Sequence, residues 1–385
     1  MELKNISLSA PIECSGCGAC VAACPCGAVS LEVEGGYYRA VADAELCSDC
    51  GLCLRVCHRF ADPAGEPSIY DALSVRCGHS TDAGVLSVCS SGGAVYELSR
   101  YCLSEGYHVI GAVYDTSCDR VKHIEVDSED GLTALSGSKY LPSFTADALS
   151  ALRKGCKYLF VGSPCQVYGA RMLARAKGME DDMVFVDFFC HGNSSLTLWD
   201  LYISGIKSEI CSPLRSVIFR CKDRGWHDFF MKISSDTGVY GRSGYDDDFY
   251  TLFLSDACIQ RGCFKCRFRF DKIYSDIRVG DFWGQRFKDN DTGVSVISAH
   301  SEKGEALIRS VTGSGFEAED ISFEALRAAK EGPNKGVKPV PRYRDRACEL
   351  IEEGDLSRAC AYVRRCLKGN PLRRAVSRAL RLIKK

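Results

Sequence analysis

The middle of the chain alternates short apolar runs with longer stretches in which apolar residues recur at helical spacing. Three apolar runs predict buried strands, at Tyr107–Val113, Tyr158–Gly162 and Met183–Phe189. The stretches around them predict helices, at Ser90–Leu103, Phe144–Lys154, Gln166–Ala176 and Ser194–Lys207. Such alternation of strands and helices indicates βαβ units around a parallel or mixed sheet.

The pattern changes on both sides of this region. After Ser212 the chain becomes rich in turns and short strand-like segments, which predicts α+β material folded onto the central sheet. Residues 302–385 are mostly helical in pattern, and residues 62–67 (DPAGEP) have the composition of a loop. We therefore expect a combined α+β and α/β fold class, with four units at residues 1–60, 68–155, 156–300 and 301–385.

Composition restricts the class of protein. A hydrophobic share of 46% is ample for a packed core, and a formal net charge of −1 gives no overall attraction to nucleic acid or anionic membrane. The chain has 24 cysteines, and Met1–Pro11 shows no secretory signal pattern. No apolar run reaches the roughly 18 residues that a membrane span needs. We expect a cytoplasmic protein whose cysteines bind metal and do not form disulfides.

Eight cysteines in the first unit follow the spacing of a bacterial ferredoxin. Each half, CSGCGACVAACP and CSDCGLCLRVCH, places three cysteines at two-residue gaps and a fourth after three more residues. The first three sulfurs of a half can hold one [4Fe–4S] cluster, and the fourth is directed at the other cluster. The predicted ligand sets are Cys14, Cys17, Cys20 and Cys57, and Cys47, Cys50, Cys53 and Cys24. The alternatives are a zinc ribbon or structural disulfides, but zinc takes its four sulfurs as two separated pairs.

Four further cysteines, Cys165, Cys190, Cys263 and Cys266, predict a third [4Fe–4S] cluster. Cys165 starts a predicted helix and Cys190 ends a predicted strand, so both should emerge at the edge of the sheet where open α/β sheets bind ligands. Cys263 and Cys266 form a tight pair at metal-ligand spacing. The alternative is that Cys165 and Cys190 are buried small hydrophobes and that the other two cysteines bind zinc.

Glycine–serine loops are candidate sites for the phosphates of an organic cofactor. Ser91, Gly92 and Gly93 open a predicted helix, whose exposed amides favour an anion. A second loop contains Ser138, Lys139 and Tyr140, and the turn around Cys165 contains Gly162 and Gln166. Glycine–serine turns are usually only turns. No general acid is assigned; Lys139 and His191 are the nearest candidates, and a structural or solvated role is equally open for each.

The order of these segments resembles the coenzyme F420 hydrogenase/dehydrogenase beta-subunit family, in the version with an N-terminal two-cluster ferredoxin domain. The matching segments, over about residues 90–298, are CSSGGAVYELSRY, SGSKYLPS, LFVGSPCQVYGAR, FFCHG, CIQRGCFKC and SDIRVGDFWG. The 7-hydroxymethyl chlorophyll a reductases are similar. The resemblance implies FAD in the α/β core and a cluster beside it, with the family's cluster cysteines at Cys165, Cys190, Cys263 and Cys266. The GDFWG ending resembles the bacterial branch, in which the hydride partner need not be coenzyme F420.

Together these features predict an iron–sulfur flavoprotein oxidoreductase with two ferredoxin-type clusters, a third cluster and FAD. Clusters move single electrons whereas hydride carriers move pairs, and a flavin converts between the two. The electrons would pass to or from an organic hydride partner, which is F420-like or another small molecule, or to or from a redox partner protein. The alternative is a non-catalytic adapter that carries clusters without flavin and docks to a larger enzyme.

The C-terminal tail carries an apolar stripe in a basic setting. Leu372, Val376, Leu380 and Ile383 share one predicted helical face, and arginines and lysines surround it. This pattern suits a helix packed on its own domain, a helix that docks to a partner, or peripheral contact with an anionic membrane.

Overall fold

The computed structural model describes residues 5–8, 14–60, 68, 71–211, 213–244, 246–268, 272–328 and 338–368. Its N-terminal unit is one hairpin with two short helices. These elements are α1 (Ala19–Ala23), β1 (Val29–Glu34), β2 (Tyr37–Ala42) and α2 (Leu52–Arg55). Gly18 and Gly51 precede the two helices with φ of 75° and 70°, a region that glycine adopts without strain. The chain therefore turns sharply just before the helices that carry Cys20 and Cys53.

The rest of the chain contains twelve strands in the described residues, interleaved with helices. The strands are β3 (Ser74–Ser80), β4 (Tyr107–Asp115), β5 (Arg120–Val126), β6 (Ser143–Phe144), β7 (Lys157–Val161), β8 (Met183–Phe188), β9 (Leu214–Cys221), β10 (Phe230–Ser235), β11 (Val239–Ser243), β12 (Ile277–Asp281), β13 (Ser295–Ala299) and β14 (Phe316–Asp320). The helices are α3 (Ala83–Val88), α4 (Ala94–Ser104), α5 (Glu129–Leu135), α6 (Ala146–Ser150), α7 (Pro164–Lys177), α8 (Leu196–Ile210), α9 (Asp248–Leu254), α10 (Arg261–Phe264), α11 (Glu302–Val311), α12 (Phe323–Ala328), α13 (Arg344–Glu352) and α14 (Leu356–Lys368).

A nine-stranded mixed sheet forms the centre, in the order β14-β3-β13-β12-β8-β7-β4-β5-β6. Strands β4, β7, β8 and β12 run parallel to one another. β3 has the same direction, because it pairs antiparallel with β13, which pairs antiparallel with β12. The carboxyl ends of five strands therefore meet at one edge, which we call the carboxyl edge. Open α/β sheets bind their ligands at such an edge.

Both faces of the sheet are covered, which explains why β7 and β8 are apolar almost throughout. One face contributes Tyr158, Phe160 and Phe185 to a core shared with α7 and the N-terminal unit. The other face contributes Leu159 and Val186 to a core with α4 and α11. A third core joins α8, α9 and the antiparallel sheet β9–β11 to the helices α13 and α14.

The predicted α/β architecture with a mixed sheet is confirmed. The predicted helix at Phe144–Lys154 was too long, since the structure has a two-residue strand followed by α6. The expectation of a mostly helical last unit omitted β14, which pairs with the edge of the sheet at β3. The tail stripe from Leu372 to Ile383 lies outside the described residues. Among the helices that the structure describes, none is long and apolar enough to cross a bilayer.

Candidate metal centres and carboxyl edge

The first of two cysteine-lined cavities brings together the four cysteines that the spacing assigns to one cluster. Cys14, Cys17, Cys20 and Cys57 all border it. Most of its other neighbours are apolar. Four cysteines around one space are the donor set of a [4Fe–4S] cluster, so the residues present fit that group.

Backbone amides around these sulfurs favour their charged form. The Ala40 N–H donates to Cys14 Sγ at 3.5 Å, and amides of Ala19 and Leu54 contact Cys17 and Cys53. Amide donors of this kind stabilise cluster thiolates and tune their potential. Burial raises the pKa of Cys20 and Cys57, so binding of a metal has to displace their protons.

The second predicted set lies farther out on the N-terminal unit. Cys53 is buried and is within electrostatic reach of Cys24 and Cys50, of which Cys50 is exposed. Asn5 Nδ2 donates to Cys47 Sγ at 3.3 Å. Cys24 is thus near the second half of the motif, as the ferredoxin spacing predicts. The spare thiol of Cys26 lies 3.7 Å from Cys24 Sγ.

The second cavity gathers three of the four cysteines predicted for a third cluster. Cys165, Cys263 and Cys266 border it. Cys190 is not among its lining residues, but the same loop contacts Cys263, because the Asn193 N–H lies 3.5 Å from Cys263 Sγ. Three of the four predicted cluster ligands therefore line the cavity directly. The fourth, Cys190, lies on a neighbouring segment.

The cysteines of both cavities surround a space and do not converge on a point. Over the described ranges of the chain, no three His, Cys, Asp or Glu side chains are grouped closely enough to hold a single metal ion. Cys258, which precedes the Cys263–Cys266 pair, lies elsewhere. It is fully buried against Cys348 in the core of α9 and α13.

The N-terminal unit is fixed to the core through its cluster loop. Thr145 Oγ1 donates to the Cys17 carbonyl at 2.6 Å, and Gln260 Nε2 donates to the Cys14 carbonyl at 2.5 Å. A Cβ added at Gly169 of α7 would lie 2.8 Å from Ala19 Cβ and 3.1 Å from Cys17 Sγ. Only glycine on α7 permits this approach. The two cavities consequently share three lining residues, Cys14, Ser15 and His58.

The predicted cofactor loops gather at the carboxyl edge. Ser91–Gly93 links α3 to α4, and Ser138–Tyr140 links α5 to β6. The two loops are in contact, because the Ser138 N–H donates to Ser90 Oγ at 2.7 Å. Gly92 has a packing role of its own, since an added Cβ would lie 2.5 Å from the Gly78 carbonyl oxygen and 2.6 Å from the Ser295 nitrogen.

Two partly buried lysines hold these loops, and neither forms a direct ion pair within the described residues. Lys139 Nζ donates to the carbonyls of Ala134, Leu135 and Ser136, which end α5. Lys222 Nζ donates to the carbonyls of Leu86, Ser91 and Thr292. Burial lowers the pKa of Lys139 to about 7 and that of Lys222 to about 8. In its charged form each ammonium has three donors, and backbone carbonyls occupy all three.

Sequence reasoning missed Lys222 and its neighbour Arg220. Buried Arg220 forms an ion pair with Asp281 at 3.1 Å and contacts Tyr140 Oη at 3.4 Å. Its guanidinium also stacks 4.3 Å from the Phe229 ring and 5.2 Å from Trp283. The available signal was the two cations Arg220 and Lys222, which flank Cys221 at the end of β9. This group joins the Ser138–Tyr140 loop to the GDFWG segment.

The remaining predicted residues are held by local contacts. Gln166 Oε1 accepts from the Ser163 N–H at 2.9 Å, so Gly162 and Gln166 belong to the cap of α7. Buried His123 lies beside them, 2.9 Å from the Val161 carbonyl. His191 Nε2 lies 3.0 Å from Asp256 Oδ1, on the side of α9. Among the contacts of the described residues, none joins His191 to Lys139.

Comparisons with known proteins agree with these two regions. Residues 13–61 match the model of the 4Fe-4S dicluster domain, and residues 155–323 match the model of the C terminus of the coenzyme F420 hydrogenase/dehydrogenase beta subunit. No curated protein sequence matches the chain. Among solved structures, a chain of the F420-reducing [NiFe] hydrogenase complex from Methanosarcina barkeri is similar at 17% identity and a TM-score of 0.47, over 80% of this chain and 94% of that one. The family identified from the sequence motifs is confirmed: the chain joins a 4Fe-4S dicluster domain to a domain of the coenzyme F420 hydrogenase/dehydrogenase beta-subunit family.

Proposed function

We propose that this protein is an iron–sulfur flavoprotein oxidoreductase. In this proposal, Cys24, Cys47, Cys50 and Cys53 hold an outer [4Fe–4S] cluster, and Cys14, Cys17, Cys20 and Cys57 hold an inner one. Cys165, Cys190, Cys263 and Cys266 hold a third cluster beside the carboxyl edge. The observation that carries the proposal is the common wall of the two cavities, which makes the inner and third sites neighbours.

The arrangement of the cysteines supports a directional path. Cys50 is exposed, so the outer site is accessible to a redox partner, whereas Cys17 and Cys20 are buried. Cys165 stands at the start of α7, directly after β7 reaches the carboxyl edge. Electrons would therefore travel between the surface of the dicluster domain and the carboxyl edge through thiolates that the protein keeps away from water.

The charge at the carboxyl edge supports a phosphate-bearing cofactor there. Below about pH 7, Lys139, Lys222 and Arg220 provide three positive charges near the two cofactor loops, and Asp281 pairs with Arg220. This excess of positive charge favours an anionic group such as the diphosphate of FAD. When bound, FAD would exchange single electrons with a cluster and a hydride with an organic partner. Tyr140, Phe229 and Trp283 offer aromatic faces beside it.

A second function, a cluster-bearing adapter without flavin, is favoured by one specific observation. The Nζ donors of both lysines are occupied by carbonyls, and backbone atoms fill the space beside Gly92. A cofactor phosphate would then have to be held mainly by charge and by other amides. Under this alternative the protein would pass electrons to a larger enzyme.

Anaerobic purification followed by denaturation separates the two functions. The oxidoreductase is expected to release one FAD and about 12 irons per chain. The adapter is expected to release about 8 irons and no flavin. Absence of both flavin and the additional irons would overturn the oxidoreductase proposal.

A further inference from the structure

His58 lies in the wall between the two cysteine-lined cavities. It directly follows Cys57, and it borders both cavities. Its side chain is 9% exposed and is held edge-on against the rings of Phe268 and Tyr168, at 5.2 and 6.1 Å between centroids. The imidazole is therefore fixed in orientation between the site of Cys57 and the site of Cys165.

The two ring nitrogens of His58 differ in their surroundings. Nε2 lies 3.1 Å from Ser15 Oγ. Nδ1 is buried and has no hydrogen-bond partner among the residues that the structure describes. A buried nitrogen without a partner is costly unless something else in the site satisfies it. The first cavity, which the ring borders, is lined by cysteine sulfurs, and these carry negative charge once they bind iron.

Ser15 continues the contact towards the second cavity. It borders both cavities, and its hydroxyl is also within hydrogen-bond reach of Cys165 Sγ, so its one hydrogen can go to either partner. The Ser15 carbonyl accepts from Asn193 Nδ2 at 3.3 Å, which holds the loop in place. His58, which directly follows Cys57 in sequence, is thus connected through Ser15 to the surroundings of Cys165.

We propose that His58 is a positioning residue for electron transfer, whose Nδ1–H donates to a sulfur of the cluster held by Cys14, Cys17, Cys20 and Cys57. This inference rests on the proposed function, since it needs that cluster. A hydrogen bond to cluster sulfur stabilises the reduced, more negative state and so raises the midpoint potential. His58 thereby raises the midpoint potential of the inner cluster.

Ser15 decides which nitrogen carries the proton. If the Ser15 hydroxyl donates to Nε2, the proton of a neutral imidazole is on Nδ1 and is available to the inner cluster. If the hydroxyl donates to Cys165 instead, Nε2–H donates to Ser15 and Nδ1 is a bare acceptor. The proposal requires the first arrangement. Negatively charged sulfur in the first cavity favours it, and a Cys165 thiolate without the Ser15 hydrogen still has Ser163 Oγ at 3.3 Å.

Three variants of the full-length holoprotein separate these arrangements. His58→Phe keeps a ring against Phe268 and Tyr168 but has no donor. The amide nitrogen of His58→Asn can take the position of Nδ1, and that of His58→Gln the position of Nε2. We expect a lower midpoint potential of the inner cluster in the Phe and Gln variants, and a potential close to wild type in the Asn variant. The measurement is a redox titration followed by electron paramagnetic resonance, with the outer cluster as internal reference.

Iron content, measured beside each titration, keeps the result interpretable. Full iron with the same inner-cluster potential in all three variants would overturn the inference. A wild-type potential in His58→Gln with a lowered one in His58→Asn would also overturn it, because the Ser15 side would then be responsible. If His58→Phe loses iron, the Asn and Gln pair decides. Failure of the proposed function would give a different result, because the Cys57→Ser variant would then lose no iron.

Discussion

At the scale of single residues, a buried ion pair between neighbouring strands fixes the part of the sheet next to the Cys190 segment. Arg278 of β12 donates from Nε and Nη2 to the two carboxylate oxygens of Asp187 of β8, at 2.7 and 2.6 Å. Both side chains are 1% exposed. Two charges in this setting are tolerated because each neutralises the other, so the pair is needed as a whole.

Removal of one partner should therefore be strongly destabilising. We expect Arg278→Met to lower the free energy of unfolding by about 3–5 kcal/mol, because it leaves the Asp187 carboxylate buried and unpaired. The measurement is the shift of the urea unfolding midpoint under anaerobic conditions.

A matched control is available at the surface. Arg215 and Asp236 also form a two-bond ion pair, but their side chains are 65% and 52% exposed. Arg215→Met should cost less than about 1 kcal/mol, since exposed pairs are weak. Equal effects of the two substitutions would show that burial does not govern the cost at Arg278.

The two lysines of the carboxyl edge predict a pH dependence of cofactor binding. Burial lowers the pKa of Lys139 to about 7 and that of Lys222 to about 8. Below these values both ammonium groups attract a phosphate, and as the pH rises through them the attraction is lost. We expect the affinity of flavin-free protein for FAD to fall between about pH 6 and pH 9, by roughly tenfold for each 1.4 kcal/mol of lost interaction.

Fluorescence titration with FAD at several pH values measures this dependence. Lys139→Arg keeps its charge throughout, so the part of the decline near pH 7 should disappear in that variant. An affinity that stays constant or rises with pH would contradict a role for these charges in binding the cofactor.

At the scale of elements, the close approach of α7 to the dicluster domain predicts opposite effects on stability for glycine-to-alanine substitutions at two helical positions. Gly169 of α7 lies against Ala19 and Cys17, with no room for a Cβ. Gly205 of α8 has nothing within 4 Å of the corresponding position among the described residues. Alanine is favoured over glycine inside a helix by about 0.5–1 kcal/mol, so packing decides the outcome.

We expect Gly169→Ala to lower the thermal midpoint and reduce iron content, because the added methyl pushes Cys17 away from its cavity. Gly205→Ala should raise the midpoint slightly and leave iron unchanged. Thermal unfolding and iron assay of both variants provide the test. A stabilised Gly169→Ala variant with full iron would mean that the dicluster domain does not pack on α7 in this way.

The elements that the sequence predicted well are those with one dominant signal. The strands that became β4, β7 and β8 were recognisable because both faces are buried, which produces continuous apolar runs. β3 was missed although it pairs with strands on both sides, β13 and β14. Its sequence, SVRCGHS, has no continuous apolar run, because Arg76 pairs with Glu305 of α11 and Gly78 packs against β14. These contacts join segments that are far apart in sequence, so the local sequence pattern does not reveal them.

At the scale of the whole molecule, the two sites differ in how far sequence alone could predict them. Cys14, Cys17 and Cys20 are close in sequence, so their spacing already indicates that they act together. The second cavity draws on Cys165 and, about 100 residues later, on Cys263 and Cys266. These cysteines meet because the start of α7 and the segment of α10 border the same cavity. The pairing of Cys263 and Cys266 was evident, but the contribution of Ser15 and His58 to the same cavity was not. It depends on how the dicluster domain packs on the core.

The central claim is that the second cavity holds a third cluster next to the inner cluster of the dicluster domain. The most direct test is the iron content of Cys266→Ser, purified anaerobically, together with the resonance spectrum of the reduced protein. We predict a loss of about 4 irons relative to wild type, with the signals of the dicluster domain preserved. Full iron in Cys266→Ser, with an unchanged spectrum, would contradict the claim.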